Sequence, residues 1–228
     1  MKMPILNKSV KKEDIIRFTL LREQKEGGFS FVETTPPTLE DTYYAIGILK
    51  ELSITYNYSK TLEFVESSIN NFKGPEHLFY ISYIYSIFNR QPTRIFYSNM
   101  ENVEVKSIDS CYNVFRTYEN LNLKIVDQRL IDYLETKKPF KKSYLSITSK
   151  YIYLAKRIGI PFNENDYANW IIKSQNDDGG FGFKTGTTSF IENTYYGLRA
   201  LVDLGEFPDD VDKCIDFIYS CYSNVGGF

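Results

Sequence analysis

The chain has one histidine, His77, in 228 residues, so any metal centre in it can draw on at most one imidazole. Cysteine is scarce too. Cys111, Cys214 and Cys221 make an odd number with no disulfide-framework spacing, which suits reduced thiols in a reducing compartment. Cys214 and Cys221 stand seven residues apart on a predicted helix, hence near one face, where free cysteines pack as small hydrophobes. An excess of either charge is also missing. The 27 Lys and Arg against 29 Asp and Glu leave a formal charge of −2, with no bias toward a polyanion, so nucleic acid is not an expected partner. No apolar run approaches the roughly 20 residues of a membrane span, and Met1–Lys12 lacks the apolar core of a signal peptide. The expectation is a cytoplasmic protein without a membrane span.

What the chain has is repetition. Asp41-Thr-Tyr-Tyr44, Asp109-Ser-Cys-Tyr112 and Asn193-Thr-Tyr-Tyr196 are variants of one phrase, and two of them follow a loop, Gly27-Gly28-Phe29 or Gly179-Gly180-Phe181. Each interval between phrases holds two units of roughly 34 to 42 residues, so the repeat is a supersecondary element that needs its neighbours to cover its apolar face. Glu76–Tyr83 and Ser143–Lys150 supply the intervening starts. Before these inner starts lie segments with apolar residues at helical spacing: Ile15–Leu21, Leu62–Ile69, Leu130–Leu134 and Asp166–Lys173. A further one opens at Pro208-Asp-Asp210, followed by Val211, Ile215, Phe217 and Ile218. Helical pairs result, with six outer and five inner helices. Asp41, Asp109 and Asn193 suit N-caps, because their side chains can accept from first-turn N–H groups.

Aromatic residues make up 16% of the chain, and many fall on inner helices: Tyr43, Tyr44, Phe79, Tyr80, Tyr83, Tyr112, Tyr195 and Tyr196. A cavity lined this way offers large apolar area with hydroxyl tips, which suits an apolar tail ending in a polar head. Packing within the repeat core is the plainer use of the same rings.

Trp170-Ile-Ile-Lys-Ser-Gln175-Asn-Asp-Asp-Gly179-Gly-Phe181 resembles the aromatic, glutamine and glycine loop motif of the α/α-toroid proteins. These include the β subunits of protein prenyltransferases and, more distantly, the squalene and oxidosqualene cyclases. Phe18, Gln24 and Gly27-Gly28-Phe29 form a shorter copy. The resemblance spans almost the whole chain and implies an all-α fold, an α/α toroid built as a barrel of helical hairpins, in one domain over residues 1–228, with about five and a half repeats. Val225-Gly226-Gly227-Phe228 is a loop after which another inner helix is expected. The ring is therefore expected to be incomplete, its last face covered by a helical partner subunit or a second copy.

Lys106-Ser-Ile-Asp109-Ser-Cys111-Tyr112-Asn-Val-Phe115 resembles the prenyltransferase zinc segment. By that resemblance Asp109 and Cys111 are zinc ligands, leaving a position where an acceptor thiol loses its proton, and Lys106 and Tyr112 stabilise the departing diphosphate. Arg116 and Arg199 are expected near the diphosphate. Tyr43, Tyr44, Tyr195 and Tyr196 are expected along the isoprenyl chain. Val103 stands where the family carries Arg, and Asn193-Thr-Tyr-Tyr196 stands where it has a His-led phrase, so the third zinc ligand is unassigned. His77 also opens an inner helix. The function implied is a prenyltransferase β-subunit-like protein that binds an isoprenyl diphosphate in an aromatic-lined cavity, with transfer to a thiol acceptor. The alternative is a non-catalytic toroid that serves as a binding or assembly module. The cyclase Asp-x-Asp-Asp motif is not found: Asp177-Asp178 lies in a loop, and Asp209-Asp210-Val-Asp212 opens a helix, where the macrodipole favours acids.

Overall fold

The structure is a computed structural model and describes residues 10–55, 57–71, 73–125, 127–137, 142–223 and 227. Eleven α-helices carry the described chain: α1 Lys12–Leu20, α2 Leu39–Glu51, α3 Ser59–Ser68, α4 Pro75–Ile87, α5 Arg94–Asn102, α6 Ile108–Asn120, α7 Gln128–Glu135, α8 Leu145–Ile158, α9 Glu164–Ile172, α10 Ile191–Leu204 and α11 Val211–Cys221. A 3-10 turn at Ile69–Asn71 extends α3. Among the described residues there is no strand, only isolated bridges at the two Gly-Gly-Phe loops. None of these helices is long and apolar enough to cross a membrane. Met1–Ser9 and Asn224, Val225, Gly226 and Phe228 lie outside the described residues, and with them the readings made on the N-terminal segment and the last loop.

The alternation of six and five helices is present. The helix counted but not located by periodicity is α5, whose buried residues are only Phe96 and Met100. Thr93 starts it, its hydroxyl accepting from the Phe96 N–H. The chain forms two compact units, Ile16–Thr136 and Lys137–Phe228 with Met1–Ile15. Within the first, α2 packs on α4 and α4 on α6; within the second, α8 packs on α10. Phe29, Ala45, Ile46 and Leu49 form a core cluster in the first unit, flanked by Leu20, Ile54, Tyr58, Ile87 and Phe88.

The repeated phrase is explained by its threonine. Thr42 Oγ1 accepts from the N–H of buried Phe29 at 2.9 Å and donates to the Thr38 carbonyl at 2.6 Å. Thr194 does the same with Phe181 at 3.0 Å and Phe190 at 2.9 Å. One hydroxyl thus ties each Gly-Gly-Phe loop to the first turn of the inner helix that follows. The caps themselves lie further upstream than the phrase suggests, at Thr38, Ser107 and Phe190, because each helix begins before its phrase. Asp41 and Asp109 sit inside the first turn, where their charge faces the positive end of the helix. At α6 Ser107 and Ser110 exchange hydroxyl-to-backbone bonds as a capping box.

Glycine is required in both loops. Gly27 and Gly179 have φ of +93° and +88°, and a Cβ on either would stand 2.1 Å from a carbonyl oxygen, Lys60 O or Lys213 O. The backbone there lies directly on the first turn of the next outer helix, α3 or α11. The two loops superpose with Glu23, not Gln24, in the place of Gln175. Glu23 bridges Phe29 as Gln175 bridges Phe181, and Gln24 N donates to Gly28 O as Asn176 N donates to Gly180 O.

Candidate functional site

The inner helices of the first unit gather rings on one half-buried surface. Tyr43 of α2 lies with its centroid 5.0 Å from Tyr44, Phe79 and Tyr80 and 4.8 Å from Tyr83. Phe79 of α4 reaches Tyr112 of α6 at 6.3 Å. Spacing makes this possible, since Phe79 and Tyr83 stand one turn apart and Tyr112 and Arg116 likewise. Gly47 borders the array, where a Cβ on it would come to 3.4 Å from the Tyr83 hydroxyl, an ordinary contact. Arg116 closes the array. Its Nη1 donates to the Tyr112 hydroxyl at 2.9 Å, its guanidinium lies 5.6 Å and 5.7 Å from the Phe79 and Tyr112 centroids, and its Nε pairs with Glu119 at 3.1 Å.

Two of the phenols on this surface, Tyr80 and Tyr83, are held in their neutral form by their surroundings. Burial pushes the Tyr80 hydroxyl up, and Glu40, Tyr44 and Glu76 push it further. Tyr83 is raised by burial and by Glu51, against the opposing charge of Arg116. The surface is therefore apolar and uncharged at its centre, with a cation at the α6 end and carboxylates around it.

The second unit carries a smaller set. Tyr195 and Tyr196 of α10 lie 5.2 Å apart in an edge arrangement, and Lys150 of α8 stands 5.6 Å from the Tyr196 ring. Tyr195 is 58% exposed. Arg199 pairs with Asp203 at 3.6 Å, and Arg157 reaches the same carboxylate at 3.2 Å while lying 3.5 Å over the Tyr153 ring.

The residues of the expected zinc segment are spread over different environments. Asp109 is half-buried in the first turn of α6. Cys111 is fully buried, its Sγ 3.9 Å from the Leu130 carbonyl on α7, and burial together with Asp127 pushes its thiol up to about 12. Lys106 is exposed and paired with Glu104. Val103, in the place of the family arginine, is a buried residue at the end of α5. His77, in the first turn of α4, has a buried Nδ1 with no hydrogen-bond partner among the described residues; burial and Lys73 lower its pKa, against Glu76. No three of His, Cys, Asp and Glu gather into a group that could hold a metal among the described residues.

Of the expected site residues, the structure brings Tyr43, Tyr44, Tyr112 and Arg116 together through Phe79, Tyr80 and Tyr83. The contacts within one helix, Tyr112 to Arg116 and Arg199 to Asp203, are legible in i,i+4 spacing. The effect of Glu40 on Tyr80 crosses from α2 to α4 and has no signal in the sequence.

A family model for the prenyltransferase alpha-alpha toroid domain matches the chain twice, over residues 2–138 and 135–228. Comparison with curated proteins finds no match.

Proposed function

Because the chain belongs to the prenyltransferase alpha-alpha toroid domain family, we propose that it binds an isoprenyl diphosphate along the aromatic surface of α2, α4 and α6, with Arg116 at the diphosphate end. The observation that carries this reading is the ring array around Tyr43 with one guanidinium at its edge. Ring faces suit a chain of isoprene units, whose burial stabilises by roughly 25 cal/mol per Å². Arg116 can present donors to a diphosphate while Tyr112 holds it in place, at the cost of its pairing with Glu119. Lys106, exposed and paired with Glu104, precedes the α6 N-cap. Tyr195, Tyr196 and Arg199 offer the same combination of phenols and guanidinium on α10.

Zinc would supply a Lewis acid that activates an acceptor thiol. Asp109 and Cys111 are the segment's donors, but a thiol held in the core with its proton tightly bound does not fit a ligand, and no transfer step is derived through the metal. That burial favours the second reading, a toroid that binds its ligand without transferring it.

Calorimetry with farnesyl diphosphate tests the proposal. Saturable binding is expected, weakened about tenfold in Arg116→Ala through loss of a charge-assisted hydrogen bond. Absence of binding overturns it. Zinc content measured beside Cys111→Ser separates the two readings: metal that is lost in the variant supports transfer, and no metal in either protein supports the module.

A further inference from the structure

We propose that the cleft beside Trp170 is a binding site for a small organic phosphate with a planar body. Its volume is about 410 Å³, and it is lined by Lys142, Ser143, Tyr144, Trp170, Lys184 and Thr185, none of which belongs to the surface of the preceding proposal. Its walls are fixed by local contacts. The Leu145 N–H donates to the Phe183 carbonyl at 2.8 Å, and Tyr144 packs on Phe183 with centroids 5.3 Å apart. Lys142 Nζ donates to Asp166 at 2.5 Å and stands 5.3 Å from the Tyr167 ring.

The chain contains its own comparison. In the first loop Arg22 lies 3.5 Å over the Phe18 ring and donates to the carbonyls of Phe18 and Phe31. Matched loop bonds, Ser30 N to Arg22 O and Gly182 N to Ser174 O, put Ser174 in the place of Arg22. The aromatic residue before the second loop is Trp170, and the side chain that covers Phe18 has no counterpart there. The same turn recurs in both loops, Thr35 N to Val32 O and Thr187 N to Lys184 O. Lys184 and Thr185 thus replace Val32 and Glu33, so this turn does not itself need a cation or a hydroxyl.

Every side chain that lines the cleft can donate: two ammoniums, an indole N–H and three hydroxyls. Among the described residues, the Trp170 indole N–H and the hydroxyls of Ser143 and Thr185 show no hydrogen bond to protein, and the Lys184 ammonium, 5.6 Å from the Phe183 ring, shows no hydrogen bond or ion pair. Lys142 and Lys184 outweigh Asp166 by one positive charge. An acceptor-only anion meets that set, and lysine is a point-charge phosphate binder. The indole and phenol walls of Trp170 and Tyr144 suit a flat body.

Trp170 is the only tryptophan in the chain, so its emission reports on this cleft. Phenyl phosphate is expected to change that emission saturably, with heat of binding in calorimetry, and phenol at the same concentration is not. Lys184→Val, which restores the residue of the first loop, is expected to weaken binding about tenfold. The absence of both emission change and heat, or equal affinity in Lys184→Val, overturns the site. Inorganic phosphate binding as tightly as phenyl phosphate overturns the planar body.

Discussion

Asp127 is the most heavily engaged carboxylate in the protein's described interior, and its partners decide how acid acts on the fold. Its oxygens accept from the Arg129 backbone N–H at 3.1 Å and from the guanidinium at 2.9 Å and 2.6 Å, with the Tyr118 hydroxyl at 3.4 Å. Arg129 in turn donates to the carbonyls of Met100, Glu101 and Val103, closing the end of α5. Burial alone raises the Asp127 pKa, but the bonds and charge of Arg129 outweigh it and hold the carboxyl below its usual value. A folded pKa below the unfolded one means stabilisation that is present above the unfolded value and lost as pH falls through the folded one. Asp127→Asn is expected to destabilise the protein at neutral pH by about 2 kcal/mol, less than a fully enclosed pair because Arg129 is partly solvated. In urea unfolding the gap between variant and parent should close as pH falls below about 4. A gap that stays constant would mean the carboxylate charge is not what matters. None of this network is visible in sequence beyond the two-residue spacing of Asp127 and Arg129, because Tyr118 and the α5 carbonyls arrive through packing.

At the scale of elements, the loops are the joints. Gln175 joins the second Gly-Gly-Phe loop to the next outer helix through two bonds to one residue. Its Nε2 donates to the Asp210 carbonyl at 2.9 Å, and its Oε1 accepts from the Asp210 N–H at 3.0 Å. Asp210 is the N-cap of α11, accepting from the Lys213 N–H at 2.9 Å. Gln175→Ala is expected to cost about 1–2 kcal/mol and to speed amide exchange in the first turn of α11, leaving α2 and α4 unchanged. Uniform exchange across all helices would show that the glutamine is not a local staple. The helices other than α5 are legible because a 3.6-residue period is written into one segment at a time. The glutamine's counterpart in the first loop is Glu23 rather than Gln24, since the two are adjacent and only the backbone bonds distinguish their roles. The caps lie upstream of the phrase for a related reason: Thr38 and Ser107 hold the helix starts, and the repeated residues begin after them.

For the whole molecule, the reading of residues 1–228 as one domain makes a definite expectation. Trp170 lies in the unit of Lys137–Phe228, whereas far-UV circular dichroism reports helices of both units. Coincident single transitions by the two probes in urea are expected of one domain. Two separated transitions would divide the chain near Thr136, where the two family matches also meet.

The sequence by itself determined the repeat, the all-helical class and the aromatic residues of the inner helices, because each is carried by spacing along the chain, and the resemblance of its loop motif pointed to the family. Only the tertiary structure decided what those residues face. Cys111 and Tyr112 are neighbours in one phrase, yet one is sealed against the Leu130 carbonyl and the other holds Arg116 beside the rings. Phe18 and Trp170 occupy like positions before like loops, yet one is covered by Arg22 and the other borders a cleft. A helix turns adjacent residues about 100° apart, so the neighbour that packs against each face, and not the phrase it belongs to, sets its burial, its pKa and its chemistry.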